Sequence, residues 1–367
     1  MNGREESMPD QTPYQALANR LNELPQGFPA TDDGSELRLL AYLFTPEEAA
    51  LGAQLRLTLE KPAEIADRLG MEMREVAGLL KSMAKKGLIK VGGIPRGGLG
   101  FGLLPFVVGI YEMQAGRIDK EFALLFEDYY QKTRAAMIEI TPQFHRVIPV
   151  GEAILMDMSV QPYMSAAELV KSMASWGVSE CICRNQRALL DEGCDHPLEV
   201  CMVLSEKEDA FPGSDTIRKL SLDEALEVLQ IAADAGLVHS VSNHKDGHWY
   251  ICNCCTCSCA IMRSMKEMGL SNVVAKSPFV AEIDQENCIA CEACVERCPF
   301  DAITVDTAVE VNMLKCAGCG QCILACPEDA IQMKDRAQRE REVLYDSEED
   351  WMAARAEARK IDLSNVL

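Results

Sequence analysis

Two copies of one cysteine pattern stand in the last quarter of this sequence of 367 residues. In each copy, two residues lie between the first and second cysteines and two between the second and third. Three residues lie between the third and fourth cysteines, and a proline follows the fourth. The copies place cysteines at Cys288, Cys291, Cys294 and Cys298, and at Cys316, Cys319, Cys322 and Cys326. The likeness continues past the cysteines, because Cys298-Pro-Phe-Asp-Ala-Ile303 matches Cys326-Pro-Glu-Asp-Ala-Ile331. The sequence therefore predicts a duplicated unit organised around whatever its eight thiols bind.

This spacing is typical of bacterial ferredoxins, in which eight cysteines hold two 4Fe-4S clusters. Three closely spaced thiolates wrap one corner of a cluster, and the fourth cysteine of the run ligates the other cluster. We therefore expect Cys288, Cys291, Cys294 and Cys326 to bind one cluster, and Cys316, Cys319, Cys322 and Cys298 to bind the second. Zinc on paired Cys-x2-Cys sites is the alternative, and the prolines and the repeat argue against it. The function that follows is transfer of single, low-potential electrons.

The compartment is inferred from how the cysteines are distributed. Seventeen cysteines would fit a secreted disulfide framework, but this chain is large and its cysteines are confined to residues 181–326. The first ten residues are polar and show no export signal, so we expect a reducing cytoplasm in an anaerobic organism. The apolar run over 97–111 is too short to span a membrane. A formal net charge of -21 disfavours nucleic-acid binding and suits a basic redox partner.

Composition and hydrophobic periodicity predict an α+β multidomain protein with five segments. These are a polar lead expected to be disordered at 1–34, a winged-helix-like region at 35–99, a mixed cysteine-rich metal or cluster domain at 100–280, a bacterial dicluster ferredoxin-like domain at 281–334, and a charged helical tail at 335–367.

The winged-helix-like prediction depends on a helix, Lys61–Gly70, followed by a second helix in the recognition position, Met71–Gly87, and a wing strand, Leu88–Val91. The second helix begins Met-Glu-Met-Arg-Glu, with two acidic residues where DNA phosphates would lie and no Asn or Gln to read bases. We therefore expect this region to dock a protein, with DNA binding as the alternative.

Nine further cysteines precede the duplicated unit, in two groups. They are Cys181, Cys183, Cys194 and Cys201, and then Cys252, Cys254, Cys255, Cys257 and Cys259. Five cysteines within eight residues are too dense for unligated core thiols. Three kinds of site remain open: a third iron–sulfur cluster with ligands from both groups, zinc, and a dithiol/disulfide pair such as Cys254 and Cys255. The adjacent ferredoxin-like unit favours the cluster.

The sequence also predicts roles for an arginine and several histidines near these cysteines. Arg184 directly follows a cysteine, and it either donates hydrogen bonds to cluster sulfide or an anionic ligand, or forms a surface salt bridge. His196 is a minor candidate for a metal ligand, because a histidine before proline is more often a turn residue. We expect His239, His244 and His248, which lack ligand spacing, to face solvent.

Taken together, these motifs resemble a family of iron–sulfur proteins from anaerobic bacteria and archaea. The shared features are the winged-helix-like region, the segment Arg146-Val-Ile-Pro-Val150, the Cys-x-Cys-Arg, Cys-Asp-His-Pro and Cys-Asn-Cys-Cys motifs, and the dicluster domain, over about Glu36 to Met333. The resemblance implies a 4Fe-4S-binding electron-transfer component of an oxidoreductase.

A flavoprotein, a hydrogenase-type module or a dehydrogenase would be the redox partner of such a component. A redox-sensing winged-helix transcription regulator is the alternative function. A third possible function is that of a reductase, with its substrate bound at an open coordination site among the upstream cysteines. The sequence shows no phosphate-binding or dinucleotide motif that would mark a substrate site.

Overall fold

The chain forms two compact units. The computed structural model describes residues 12–95, 97–150, 165–211, 213–268, 272–337 and 340–367. One unit comprises Met1–Met137 and Arg355–Leu367, and the other comprises Ile138–Ala354. The second unit holds all seventeen cysteines, so the thiol chemistry belongs to it alone. Within the described ranges, no helix is both long and apolar enough to cross a membrane.

The first unit is mainly helical. Its elements in chain order are α1 Thr12–Asn22, α2 Ser35–Leu43, α3 Pro46–Gly52, α4 Pro62–Leu69, α5 Met73–Lys86, β1 Ile89–Gly93, β2 Leu99–Leu103 and α6 Lys120–Ile138. Strands β1 and β2 form an antiparallel hairpin with Ile89 opposite Leu103. The order α4, α5, β1, β2 is the order that a winged helix requires, and the winged-helix interpretation remains a prediction.

The segment before α2 differs from the expected disordered lead. Helix α1 buries Tyr14, Leu17 and Leu21, which recur three or four residues apart and form an apolar stripe along one side of the helix. The segment is polar and proline-rich on average, so its composition alone predicts disorder and gives no sign of this apolar stripe. Residues 1–11 lie outside the described residues.

The second unit is built on one antiparallel sheet. Its helices are α7 Ala166–Ser172, α8 Ile182–Leu189, α9 Leu222–Asp234, α10 Ala260–Met268, α11 Ala293–Arg297 and α12 Gln321–Leu324, and the chain ends after α13 Glu348–Arg359. Its strands are β3 His145–Val147, β4 Ser175–Glu180, β5 Glu199–Ser205, β6 Arg218–Leu220, β7 Val238–Ser242, β8 Tyr250–Cys254, β9 Phe279–Ile283, β10 Ile303–Val305, β11 Val309–Val311 and β12 Ile331–Asp335. Strands β3 to β8 form the sheet, in the order β3-β7-β8-β5-β4-β6.

The two faces of this sheet bury different apolar clusters, because successive side chains of a strand project to opposite faces. On one face, Met202 and Ile251 pack with the apolar sides of α7 and α9. On the other face, Val147 and Val238 pack with Met262 of α10 and with apolar side chains of the duplicated unit. This second apolar cluster therefore contains side chains from both the sheet and the duplicated unit.

The duplicated unit folds as two related halves. Strand β9 pairs with β12 and β10 pairs with β11, both antiparallel, so each pair joins the two halves. Asp301 and Asp329, which occupy matching positions in the repeat, both have left-handed backbone conformations, with φ of 48° and 49°. The sequence repeat therefore corresponds to a structural repeat.

The carboxylate of Glu48 links α3 to α5 in the first unit. It is buried, and it accepts hydrogen bonds from Thr45 N at 2.9 Å, Ser82 Oγ at 2.7 Å and Lys86 Nζ at 2.6 Å. The Thr45 hydroxyl accepts from Glu48 N at 3.2 Å, which completes a capping box at the start of α3. Burial acts to raise the pKa of Glu48, but these hydrogen bonds outweigh burial and hold the pKa below its usual value.

We expect Glu48→Gln to destabilise the first unit by about 2 kcal/mol at neutral pH, because the amide loses the charge that pairs with Lys86 and brings a donor against other donors. Hydrogen exchange of the α5 amides measures this loss. The contribution should be complete above about pH 4.3 and should disappear as the pH falls through the lowered folded-state pKa. Glu47→Gln, an exposed neighbour, is the matched control. Equal exchange rates in the two variants would rule out the link.

Candidate metal centres

The eight cysteines of the duplicated unit line two separate pockets. The first pocket is lined by Cys288, Cys291, Cys294 and Cys326. The second is lined by Cys316, Cys319, Cys322 and Cys298. Each pocket thus takes three cysteines from one copy of the motif and the fourth from the other copy. These are the two groupings that the spacing predicts.

Backbone geometry at the pockets aims N–H groups at sulfur. Ala302 N donates to Cys298 Sγ and Ala330 N donates to Cys326 Sγ, each at 3.3 Å, so the same contact occurs in both halves. Gly318 has a φ of 72°, and a Cβ atom there would overlap neighbouring backbone and side-chain oxygens, so only glycine fits. Such N–H groups stabilise negative charge on sulfur and tune the potential of a cluster.

Half of these thiols, Cys294, Cys316, Cys319 and Cys322, are buried. Burial raises the pKa of Cys298 and Cys319, and it raises the pKa of Cys322 to about 12. A coordinated metal reverses this effect, because a ligating thiol gives up its proton. Four sulfur donors in an apolar pocket, with backbone donors directed at the sulfurs, fit an iron–sulfur cluster.

The comparison with known families agrees with this geometry. Residues 281–333 match the family model of a 4Fe-4S dicluster domain. The C-terminal part of the second unit is therefore similar to a 4Fe-4S dicluster domain. The chain has no match among curated proteins or among solved structures. The upstream cysteines and the winged-helix-like region lie outside the matched residues of the dicluster domain.

Six of the nine upstream cysteines form one group, called here the six-thiol group. Its members are Cys181, Cys183, Cys201, Cys252, Cys254 and Cys259. Side-chain hydrogen bonds link Cys181 to Cys183 and Cys201. Cys259 is linked in the same way to Cys183 and to Cys254, and Cys254 to Cys252. The six sulfurs are therefore connected by a continuous series of contacts.

The register of the sheet explains why three members of this group, Cys201, Cys252 and Cys254, lie on the same face of the sheet. Met202 of β5 pairs with Ile251 of β8, and both side chains lie on the face covered by α7 and α9. Cys201 and Cys252, one position away from that pair, must project from the opposite face, and Cys254 follows two residues later on the same face. The other three members lie at the starts of α8 and α10, over that face.

The remaining upstream cysteines form a second group, called here the four-ligand group. It consists of Cys194, His196, Cys255 and Cys257, whose ligand atoms all lie within 4.8 Å of one another. Cys194 Sγ is 4.0 Å from Cys255 Sγ, and Cys257 Sγ is 3.7 Å from His196 Nδ1. The sequence undervalued His196 as a turn residue. A single residue separates Cys194 from His196, as one separates Cys255 from Cys257, and this shared spacing is the pattern that would have found it.

Arg184 lies beside both groups and is only 1% exposed, so of its two predicted roles the surface salt bridge is wrong. Its guanidinium donates to Pro197 O and to Asn253 O, each at 2.8 Å. Burial opposes its charge, but thiols that include Cys181 and Cys255 keep the pKa of Arg184 above its usual value. Its buried Nε has no hydrogen-bond partner among the residues that the structure describes. This N–H is free to donate to a cluster sulfur or to a thiolate.

The three histidines near the cysteine run do not face solvent as expected. His239 and His244 are buried and His248 is partly buried. His239 Nδ1 lies 2.5 Å from Asn253 Oδ1, and burial lowers the pKa of His239 to about 4, so this side chain is neutral. Asn253 Nδ2 in turn donates to Val200 O at 2.7 Å. His239 therefore supports the strand that carries the cysteines rather than supplying a ligand.

We expect paired cysteine substitutions to report which residues share a cluster. Cys291→Ser with Cys326→Ser, both in the first pocket, should remove the iron of one cluster, about four atoms per chain. Cys319→Ser with Cys326→Ser, in different pockets, should disrupt both clusters. Mössbauer spectra of anaerobically purified protein distinguish intact 4Fe-4S clusters from damaged ones. If the same-pocket pair damaged both clusters, the crossed ligand sets would be wrong.

Proposed function

We propose that the protein relays single, low-potential electrons through two 4Fe-4S clusters in its C-terminal domain. The observation that carries this proposal is the pair of four-cysteine pockets, each with ligands from both copies of the motif. The matching positions of the two pockets in a structural repeat support this proposal, because two clusters bound there would give one small domain two one-electron centres. The family match to the dicluster domain supports the same conclusion independently.

The six-thiol group would hold a third iron–sulfur cluster, using four of its six sulfurs. Cys254 and Cys259 belong to the same apolar cluster as Cys294, Cys316, Cys319 and Cys322 of the duplicated unit. A redox centre there would therefore share one dry region with the two clusters of the C-terminal domain. The free Nε–H of Arg184 is a donor for a cluster sulfur, and its charge would offset part of the negative charge of the bound thiolates.

The first cluster pocket offers the exit for electrons. Cys291 is exposed, and the neighbouring Ile289 is 61% exposed. Glu292 and Glu328 line the same pocket and are exposed, so the surface around the pocket is acidic. We propose that a redox protein with a basic docking face, such as a flavoprotein, a hydrogenase-type module or a dehydrogenase, exchanges electrons there. A high ionic strength should then slow the exchange.

Iron and acid-labile sulfide analysis of anaerobically purified protein tests the number of clusters. We expect about twelve iron atoms per chain, eight from the C-terminal pair and four from the third cluster. Replacing Cys252, Cys254 and Cys259 together by serine leaves three thiols in the six-thiol group, too few for a cubane, and should lower the iron to about eight. Thr256→Ser, in the same run, is the control.

The same samples, reduced anaerobically, test electron transfer. Reduced wild-type protein and the triple variant should both give the paramagnetic resonance of two interacting reduced 4Fe-4S clusters. About eight iron atoms in the wild type would reject the third cluster and leave the relay through the C-terminal pair intact. Clusters that cannot be reduced reversibly would contradict the relay itself.

A redox-sensing DNA-binding regulator is the second candidate function, supported by the order α4, α5, β1, β2. Helix α5 exposes Arg74 and Lys81, but Glu75 within it and Glu72 just before it are exposed too. We expect no retardation of labelled duplex DNA by oxidised or reduced protein at physiological salt. Retardation that depended on the oxidation state and was lost in Arg74→Glu would favour the regulator.

A further inference from the structure

We propose that the four-ligand group is a separate binding site for one tetrahedral metal ion, Zn²⁺, and that this ion takes no part in electron transfer. The site is distinct from the six-thiol group. Its ligands would be Sγ of Cys194, Cys255 and Cys257 and Nδ1 of His196.

The distances among the ligand atoms match those around a single ion. Zinc binds sulfur at about 2.3 Å and histidine nitrogen at about 2.0 Å, so tetrahedral angles place two sulfurs about 3.8 Å apart and a sulfur about 3.5 Å from a nitrogen. The Cys194 to Cys255 separation is 4.0 Å, and the Cys257 to His196 separation is 3.7 Å.

The donor set also favours zinc. Three cysteines and one histidine form one of the closed ligand sets of structural zinc sites, whereas 4Fe-4S clusters are ordinarily held by four cysteines. The Ser258 hydroxyl lies 3.3 Å from Cys194 Sγ, in position to donate a hydrogen bond to that ligand. Three thiolates and Zn²⁺ carry a net charge of −1, and the buried guanidinium of Arg184 interacts with Cys255 and offsets it.

No thiol has to serve two sites. Cys254 ends strand β8 on the face of the six-thiol group, and Cys255, the next residue, belongs to the apolar cluster of the opposite face. The strand end therefore directs neighbouring sulfurs to different sites. The nine upstream cysteines divide completely into six and three, and His196 supplies the fourth ligand that the smaller group lacks.

Metal analysis of the full-length protein, purified anaerobically from cells supplied with zinc and iron, tests this site. We expect about one zinc per chain in addition to the iron, because the set is closed and tetrahedral. His196→Ala should lower the zinc at least about fivefold without changing the iron, whereas His196→Cys should keep the zinc by completing a four-cysteine set. Cys291→Ser is the reciprocal control, because it should lose iron and keep zinc.

The ligand shell of the wild-type protein gives a second readout that needs no variant to fold. X-ray absorption at the zinc edge should show three sulfurs at about 2.3 Å and one nitrogen at about 2.0 Å. Wild-type protein without zinc, a shell of oxygen ligands, or a loss of iron in His196→Ala would each overturn the proposal. The relay is measured separately, by iron content and resonance spectra, so either idea can fail alone.

Discussion

Burial of sulfur in one continuous apolar cluster is the constraint on which the second unit depends. Cys254 and Cys259 from the sheet face share this cluster with Cys294, Cys316, Cys319 and Cys322 of the C-terminal domain. Buried thiols cannot ionise at ordinary pH without compensation, and a metal supplies that compensation. Because binding sites of this kind do not exist in the unfolded chain, the free energy of metal binding becomes free energy of folding. Metal loading of this unit would therefore add to the stability of its fold.

Arg184 is the electrostatic counterpart of that constraint. An isolated charge in the interior is costly, so a guanidinium only 1% exposed needs negative charge near it. Its hydrogen bonds to Pro197 O and Asn253 O fix its position but supply no charge. The thiols of both upstream groups surround it, and it is balanced only when some of them are thiolates. A buried cation thus favours metal-bound sulfur over neutral thiols and over a disulfide.

The dicluster pockets could be predicted from sequence because their geometry is local. The spacing of each motif fixes three ligands, and the repeat fixes the fourth. The division of the upstream cysteines could not be predicted, because it depends on which strands pair and in what register. Only the pairing of Met202 with Ile251 shows that Cys201 and Cys252 share a face. The local spacing of Cys194 and His196 hints at a site, but the approach of His196 to Cys255 and Cys257 could not be predicted, since these residues are about sixty positions away in sequence.

A redox-inert ion next to a chain of redox centres has a physical rationale. Zn²⁺ has no accessible second oxidation state, so an ion in the four-ligand group cannot trap an electron on its way through the unit. It would instead join the loop of Cys194 and His196 to the turn of Cys255 and Cys257. The loop leads into β5 with Cys201, and the turn lies between Cys254 and Cys259. Fixing these two segments would limit the movement of the six-thiol group when the charge of a cluster there changes, without being required for that group to bind iron.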